Sequence, residues 1–224
     1  MKSVSEVKAR VTDEELVHKR RAQIIAAAIE LFAERGYYRT TILDVAKKAG
    51  VSPGLIYQYV SDKDDVLLLA LASVLDTYKQ EIPVALEGVA DPLERWHAAI
   101  WAYCRIVDRM RAATVLAYRS TKSLPRARRQ IIKDSELATN ALIADCVRAC
   151  IAEELFRPVN AELVAYQLVM FAHTWALKHW RLEELGTLDQ YVESGLDLFA
   201  HALLTQKGWR RYRSMLEQRG ASLP

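Results

Sequence analysis

The chain is poor in the residues that interrupt or cross-link helices. It has 8 Gly and 6 Pro among 224 residues, and those few stand where helical stretches should end. Together with 51% hydrophobic and 26% charged residues, that scarcity excludes a disordered chain. Three cysteines, Cys104, Cys146 and Cys150, are too few and too irregular for a disulfide framework or a zinc module. Cys146 and Cys150 fall four apart on one helix face beside Val147 and Ile151. Buried thiols are expected there, with a redox pair as the alternative. The N-terminus lacks an apolar signal-peptide core. The longest apolar run, Val66 to Leu75, is far below the roughly 20 residues of a membrane helix. These absences predict a soluble, cytoplasmic protein with no membrane partner.

Enzyme signatures are also missing. No Gly-rich phosphate loop follows a strand, no His-Glu-x-x-His occurs, and the serines lack a nucleophile-elbow context. His173 and His179 stand six apart, off a common helix face. No cofactor and no metal site is expected.

What is present reads as helix almost throughout, and the predicted fold class is all-α. Thr12 and Glu15 have capping-box spacing and open a helix that runs to Gly36, with Ile24, Ala28, Leu31 and Phe32 on one stripe. Thr41 stands three residues before Asp44, starting a second helix that Gly50 ends. Ser52 caps a third, with Pro53 at its first position, where a missing N–H costs nothing. Two short helices around a tight turn make a helix-turn-helix, whose second helix enters the DNA major groove. Ser61 and Asp64 repeat the capping spacing and open a fourth helix from Asp62 to about Ile82, ending near Pro83. Further helices are expected over Pro92–Met110, Arg111–Leu124, Arg126–Phe156, Ala161–Glu184 and from Thr187 to about Gln206. A basic C-terminal segment follows, with Lys207, Arg210, Arg211, Arg213 and Arg219 against Glu217.

The charge totals, 31 basic and 28 acidic residues for a net +3, point to no partner. Their distribution says more. Between Leu16 and Val60 seven basic residues (Lys19, Arg20, Arg21, Arg35, Arg39, Lys47, Lys48) face three acidic ones (Glu30, Glu34, Asp44), a modest footprint for phosphates.

The residues from Ile24 to Leu68 carry a resemblance. Ile-Ile-Ala-Ala-Ala-Ile-Glu-Leu-Phe-Ala-Glu-Arg-Gly-Tyr, then Thr-Thr-Ile-Leu-Asp-Val-Ala-Lys-Lys-Ala-Gly-Val-Ser-Pro-Gly-Leu-Ile-Tyr, then Lys63 before Val66-Leu67-Leu68, resemble the N-terminal domain of TetR-type (TetR/AcrR) transcriptional regulators. The rest of the chain fits that family's helical ligand-binding and dimerisation domain in length and helix order. The implied organisation is an N-terminal arm and DNA-binding domain over 1–61, an effector and dimerisation domain over 62–207, and the basic segment 208–224. Where relatives often carry His-Phe, this chain has Tyr59-Val60. Val60 keeps the apolar anchor, and Tyr59 is expected to change what reaches the groove edge.

In the third helix Ile56 and Val60 should face inward onto Leu31, Phe32, Val45 and Ala46. Gly54, Tyr57 and Gln58 share the opposite face, with Ser52, Pro53 and Leu55 at its start. Gln58 can read an adenine through a bidentate hydrogen bond; the alternative is a solvated side chain. The resemblance makes Tyr57 a phosphate contact, with simple packing as the alternative, and makes Thr41 and Lys63 backbone contacts. A cation beside a helix N-terminus is mildly unfavourable, which a phosphate at Lys63 would explain. Lys47 is a further candidate, and Lys19, Arg20 and Arg21 could flank the groove; solvated surface is the competing reading for these four.

The family relation also implies a small hydrophobic or amphipathic effector. Lining material is present in Trp96, Trp101, Tyr103 and Cys104, then Tyr118, then Tyr166, Phe171 and Trp175, although the same residues suit an ordinary helical core. Arg119, His173, Lys178 and His179 lie among these aromatics, and a buried cation must be paired or serve a ligand. The segments Tyr118–Pro125 and Thr174–Arg181 resemble regulators that respond to fatty acids or acyl-CoA thioesters. Salt bridges between subunits or snorkelling side chains are the alternative. The helix from Leu163 to Leu177 is apolar nearly all round, and Val192, Gly195, Phe199 and Leu203 line a face of its neighbour, with Gly195 permitting close approach. Helices 161–184 and 187–206 are therefore expected to form a homodimer.

The resulting expectation is a ligand-responsive dimeric transcriptional regulator, a repressor on a palindromic double-stranded operator. An effector-independent dimeric DNA-binding protein and, further off, a helical enzyme are the alternatives.

Overall fold

The computed structural model describes Val7, Val11 and residues 13–218. The expected Thr12 cap, the other arm residues and Arg219 lie outside the described residues. Among those described, the structure is helical, with one isolated bridge, Phe156 to Leu204. The helices are α1 (Glu14–Arg35), α2 (Ile42–Lys48), α3 (Pro53–Ile56), α4 (Lys63–Ala85), α5 (Pro92–Arg109), α6 (Arg111–Ser120), α7 (Arg126–Ala152), α8 (Ala161–Leu177), α9 (His179–Leu185), α10 (Leu188–Leu203) and α11 (Gln206–Gln218). None is long and apolar enough to cross a membrane.

The chain packs as two compact units, Met1–Asp76 with Met110–Glu136, and Thr77–Arg109 with Leu137–Pro224. In the first, Ile24, Ala28, Leu31 and Phe32 of α1 are buried. Val45, Ala46, Ile56 and Val60 close onto the same core, as the helical spacing predicts. α6 also packs on α1.

In the second unit the largest helix contact is between α5 and α8. Gly195 of α10 is buried beneath Phe171 of α8: a Cβ there would stand 2.0 Å from the ring. The close approach foreseen at Gly195 is thus made within one chain. Phe171 stacks on Tyr191 at 4.6 Å between ring centroids, and Tyr191 donates its hydroxyl hydrogen to the Phe171 carbonyl.

Several helix boundaries differ from expectation for local reasons. The cap of α4 is Asp62, not Ser61: Asp62 Oδ1 accepts from the Asp65 N–H at 2.7 Å, and Asp65 Oδ2 accepts from the Ser61 N–H. Pro83 lies inside the last turn of α4, and the helix stops two residues later. α7 ends at Ala152 rather than Phe156, because Glu154 turns left-handed (φ 56°) and Phe156 joins the bridge to Leu204.

The expected helix 161–184 is broken at Lys178. Thr174 Oγ1 bonds back to the Met170 carbonyl, a local competition that bends helices. The described part of the basic C-terminal segment lies in helix α11, with Tyr212, Met215 and Leu216 buried. Its cations are partly spent inside the unit, Arg211 on Asp91 at 2.7 Å and Lys207 on the Glu153 carbonyl.

Candidate functional site

The helix-turn-helix is built from paired caps. Thr41 Oγ1 accepts from the Asp44 N–H at 3.1 Å, and Asp44 Oδ2 accepts from the Thr41 N–H at 2.8 Å. The Thr41 hydroxyl also donates to Asp44, and these bonds hold the Asp44 carboxyl below its ordinary range. Gly50, at φ 68°, lets the chain reverse after α2, and the Val51 N–H reaches the Ala46 carbonyl. Ser52 Oγ then accepts from the Leu55 N–H at 3.2 Å, with Pro53 at the first position of α3.

α3 is a single α-turn, extended by the tighter bonds Gln58 N–H to Leu55 and Tyr59 N–H to Ile56. With Ile56 and Val60 turned inward, Ser52, Pro53, Gly54, Tyr57 and Gln58 are left exposed and Leu55 half-buried. Among the described residues no atom stands within 4 Å of a Cβ placed on Gly54, so none of them obstructs the face there. Thr41 and Lys47 are exposed beside it.

One expected contact is corrected. Tyr59 is 2% exposed: its side chain fills the head core instead of reaching a groove edge. Its carbonyl accepts two bonds from the Arg21 guanidinium, at 3.0 and 3.2 Å. Arg21 is therefore a clamp on the end of the motif rather than a loose flanking cation.

Lys63 is half-buried and has partners within the chain. Its ammonium donates to the carbonyls of Tyr37 and Thr40, each at 3.0 Å, with that of Tyr38 at 3.5 Å. It also lies 4.3 Å from the Tyr37 ring centroid. The unfavourable position beside the α4 N-terminus is thus compensated within the chain. Beside it Tyr37 donates to Asp64, and Arg128 of α7 bridges Asp65 at 2.6 Å, Asp62 at 2.9 Å and Asp64 at 3.5 Å. Sequence reasoning missed Tyr37 and Arg128. Arg128 lies more than sixty positions from its partners, and no local spacing signals such a contact.

The proposed effector lining falls into three groups. Trp96, Tyr103 and Trp175 are buried, and Trp101 and His173 half-buried, in the second unit. Tyr166 and Lys178 of that unit are exposed, and so are Tyr118 and Arg119 of the first. The expectation of buried cations is corrected. No lysine or arginine among the described residues is buried; Arg119 and Lys178 are exposed, where water meets their hydration cost. Lys178 is exposed because it sits at the break between α8 and α9.

A neutral polar cluster stands in their place. The Tyr78 and Tyr103 rings stack at 4.1 Å, and their hydroxyls lie 3.5 and 3.1 Å from His173 Nε2. Burial pushes His173 down to about 4, so it is uncharged near neutrality. The Trp175 indole donates to Asp108 at 2.7 Å. All three cysteines are buried and free, and burial raises each thiol, Cys104 to about 12. Thiolate chemistry is thereby suppressed.

A capped helix-turn-helix with an open outer face, followed by a separate helical unit with an aromatic interior, defines a DNA-binding regulator. Comparison gives the family. The family model for bacterial regulatory proteins of the tetR family matches residues 24–70, and that for the tetracyclin repressor-like C-terminal domain matches 89–180. The chain is 57% identical over 208 residues to the HTH-type transcriptional regulator HbdR of Aromatoleum sp. (strain CIB), covering 93% of this chain and 91% of that one. It therefore belongs to the tetR family and is a transcriptional regulator, not an enzyme.

The transcriptional repressor KstR2 of Mycobacterium tuberculosis is 27% identical over 166 residues, 73% of this chain and 82% of its own. The solved KstR2 structure superposes with a TM-score of 0.70 at 22% identity, covering 88% of this chain and 99% of that one. A structure of AibR in complex with isovaleryl coenzyme A and operator DNA gives 0.69 at 18% identity, over 80% and 97%. At these identities the two structures establish the fold alone.

Proposed function

We propose that this regulator is a dimeric repressor that grips a palindromic operator with the exposed face of α3 and releases it on binding a small amphipathic effector. The observation that carries the reading is the division of the motif: Ile56, Tyr59 and Val60 are spent on the core, leaving Pro53, Gly54, Tyr57 and Gln58 outward. Gln58 reads a base edge, while Tyr57, Thr41 and Lys47 contact backbone phosphates. The proposed division is a head over 1–61 and an effector and dimerisation domain over 62–207. The dimer forms through the helices around 161–184 and 187–206, supported by exposed Leu163, Tyr166, Met170 and Leu198. Its two recognition helices then lie about 34–36 Å apart, or a multiple of that.

The effector class that fits best is an acyl-CoA thioester. AibR, of similar fold, is known in complex with isovaleryl coenzyme A. The neutral Tyr78–Tyr103–His173 cluster suits a carbonyl or hydroxyl of an acyl group. The charged part of such a ligand would remain near the surface, where the cations are. Full release, from 99% to 1% binding-competent protein, requires about 10⁴-fold preference of the effector for the released state.

The test is to select bound fragments from genomic DNA, then titrate acyl-CoAs and the matching free acids in a gel shift. Release by a thioester but not by its acid supports the reading. Selective retention of DNA that no acyl-CoA disturbs removes the effector class and leaves the DNA reading standing.

A further inference from the structure

The helix-turn-helix is entered at Thr41 and left at Ser61, and one guanidinium from outside the motif is tied to both ends. Arg128, near the start of α7, reaches Asp65 Oδ1 at 2.6 Å, Asp62 Oδ1 at 2.9 Å and Asp64 Oδ2 at 3.5 Å. The Asp65 side chain is only 6% exposed, and a buried carboxylate that loses its cation is strongly destabilising where it stands. Arg21 adds its field at Asp65, but its guanidinium is bonded to the Tyr59 and Val7 carbonyls. Lys63 is turned to carbonyl oxygens of the loop before α2. The bridging of the three carboxylates therefore falls to Arg128.

Two paths lead from these aspartates into the motif. The first is short: Asp65 Oδ2 accepts from the Ser61 N–H at 2.9 Å and so fixes the exit from α3. The second runs through Asp64, which accepts from the Tyr37 hydroxyl. The Tyr37 ring packs edge-on against Phe32 of the head core and lies 4.3 Å from the Lys63 ammonium. That ammonium holds the Tyr37 and Thr40 carbonyls, and Thr40 donates its hydroxyl hydrogen to the Gly36 carbonyl at 3.0 Å. The next residue is Thr41, the cap of α2. Any ion cluster can serve stability. This one terminates on the entry to α2 and the exit from α3, the two places that fix where the outer face of α3 stands.

We propose that Arg128 is a positioning residue for operator binding: seated on the three aspartates, it holds Ser61 and the loop from Tyr37 to Thr41 so that Thr41, Tyr57 and Gln58 meet DNA together. It touches no nucleotide itself. The inference rests on the operator reading above and adds to it a residue outside the matched DNA-binding segment 24–70. α7 runs from Arg126 to Ala152, and its residues from 137 onward belong to the second unit. Operator affinity thereby depends on a helix that the second unit shares.

Fluorescence anisotropy with a genomic fragment selected by the wild type tests it, at a temperature well below each variant's denaturation midpoint, so that folded protein is titrated. Arg128→Met should raise the Kd about tenfold or more, the scale of a lost charged hydrogen bond. Arg128→Lys keeps the charge but not the fork that spans several carboxylates, and should recover part of the loss. Tyr37→Phe removes only the hydroxyl that reaches Asp64 and should raise the Kd by a smaller factor. Because both residues act along one path, the double variant should bind no more weakly than Arg128→Met alone. Arg211→Met breaks a comparable pair, Arg211 with Asp91 at 2.7 Å in the second unit, and should leave the Kd unchanged. Wild-type affinity in folded Arg128→Met, additive losses in the double variant, or an equal loss in Arg211→Met each overturn the inference. If Arg128→Met does not fold, Tyr37→Phe decides alone, and wild-type affinity there overturns it. A wild type that selects no DNA overturns the operator reading and this inference with it.

Discussion

The Lys63 ammonium sits 3.0 Å from the carbonyl oxygens of both Tyr37 and Thr40, so the first residue of α4 fastens the loop between α1 and α2. Hydrogen bonds to charged groups contribute about 1.5–3 kcal/mol. Lys63→Met should therefore destabilise the protein by roughly that amount, read as a lower denaturation midpoint. Operator affinity should fall in parallel with stability. A variant of full stability that no longer binds would mean Lys63 touches DNA directly.

Gln58 and Tyr57 are expected to part company. Gln58→Ala should flatten base preference at one operator position by about 1–3 kcal/mol. Tyr57→Phe should weaken binding evenly across sequences, because a phosphate contact positions without specifying. Parallel selection of bound sequences with each variant separates the two. An unchanged sequence profile for Gln58→Ala would remove the readout assigned to it.

Gly195→Ala must displace Phe171, whose ring carbon lies 2.0 Å from the new methyl. Overpacking of this kind costs about 1–3 kcal/mol. Adding Phe171→Leu should restore part of the loss, a coupling that a double-mutant cycle by chemical denaturation would measure.

Arg128 governs acid sensitivity around the start of α4. Burial pushes the Asp62 carboxyl up, but its hydrogen bonds from Arg128 and from backbone N–H groups outweigh that, and the net position is below the ordinary carboxylate value. A folded value below the unfolded one stabilises above the unfolded value, about 3.9, and that contribution is lost as pH falls through the folded value. Arg128→Met should thus be less stable than wild type at pH 7, by about 1–3 kcal/mol for these partly buried pairs. The gap should narrow steadily below pH 4. A gap of constant size down to pH 2 would show that Arg128 acts through packing alone.

Much of the head was legible because its signals are local. Thr41 with Asp44, Gly50, Ser52 and Pro53 each act within a few residues, and the structure places each as the spacing requires. Ile56 and Val60 follow from helical period alone. Tyr59 was misplaced because α3 tightens after Ile56, and a regular 3.6-residue turn no longer assigns faces there. Lys63 was half-read: the electrostatic cost was visible, but the three compensating carbonyls come from a distant loop. Arg119 and Lys178 were expected inside because aromatics surround them in sequence, yet neighbours along a helix point in different directions. The polar cluster Tyr78–Tyr103–His173 unites three helices, and no spacing within one helix reports it.

The brevity of α3 reaches beyond its own residues. One turn, Pro53–Ile56, is far too short to hold its shape in water by itself. The surface offered to DNA is accordingly a cast taken from the hydrophobic mould beneath it. Altered operator recognition should therefore arise in this family member from substitutions at Val45, Ala46 or Leu31, residues that no nucleotide can reach.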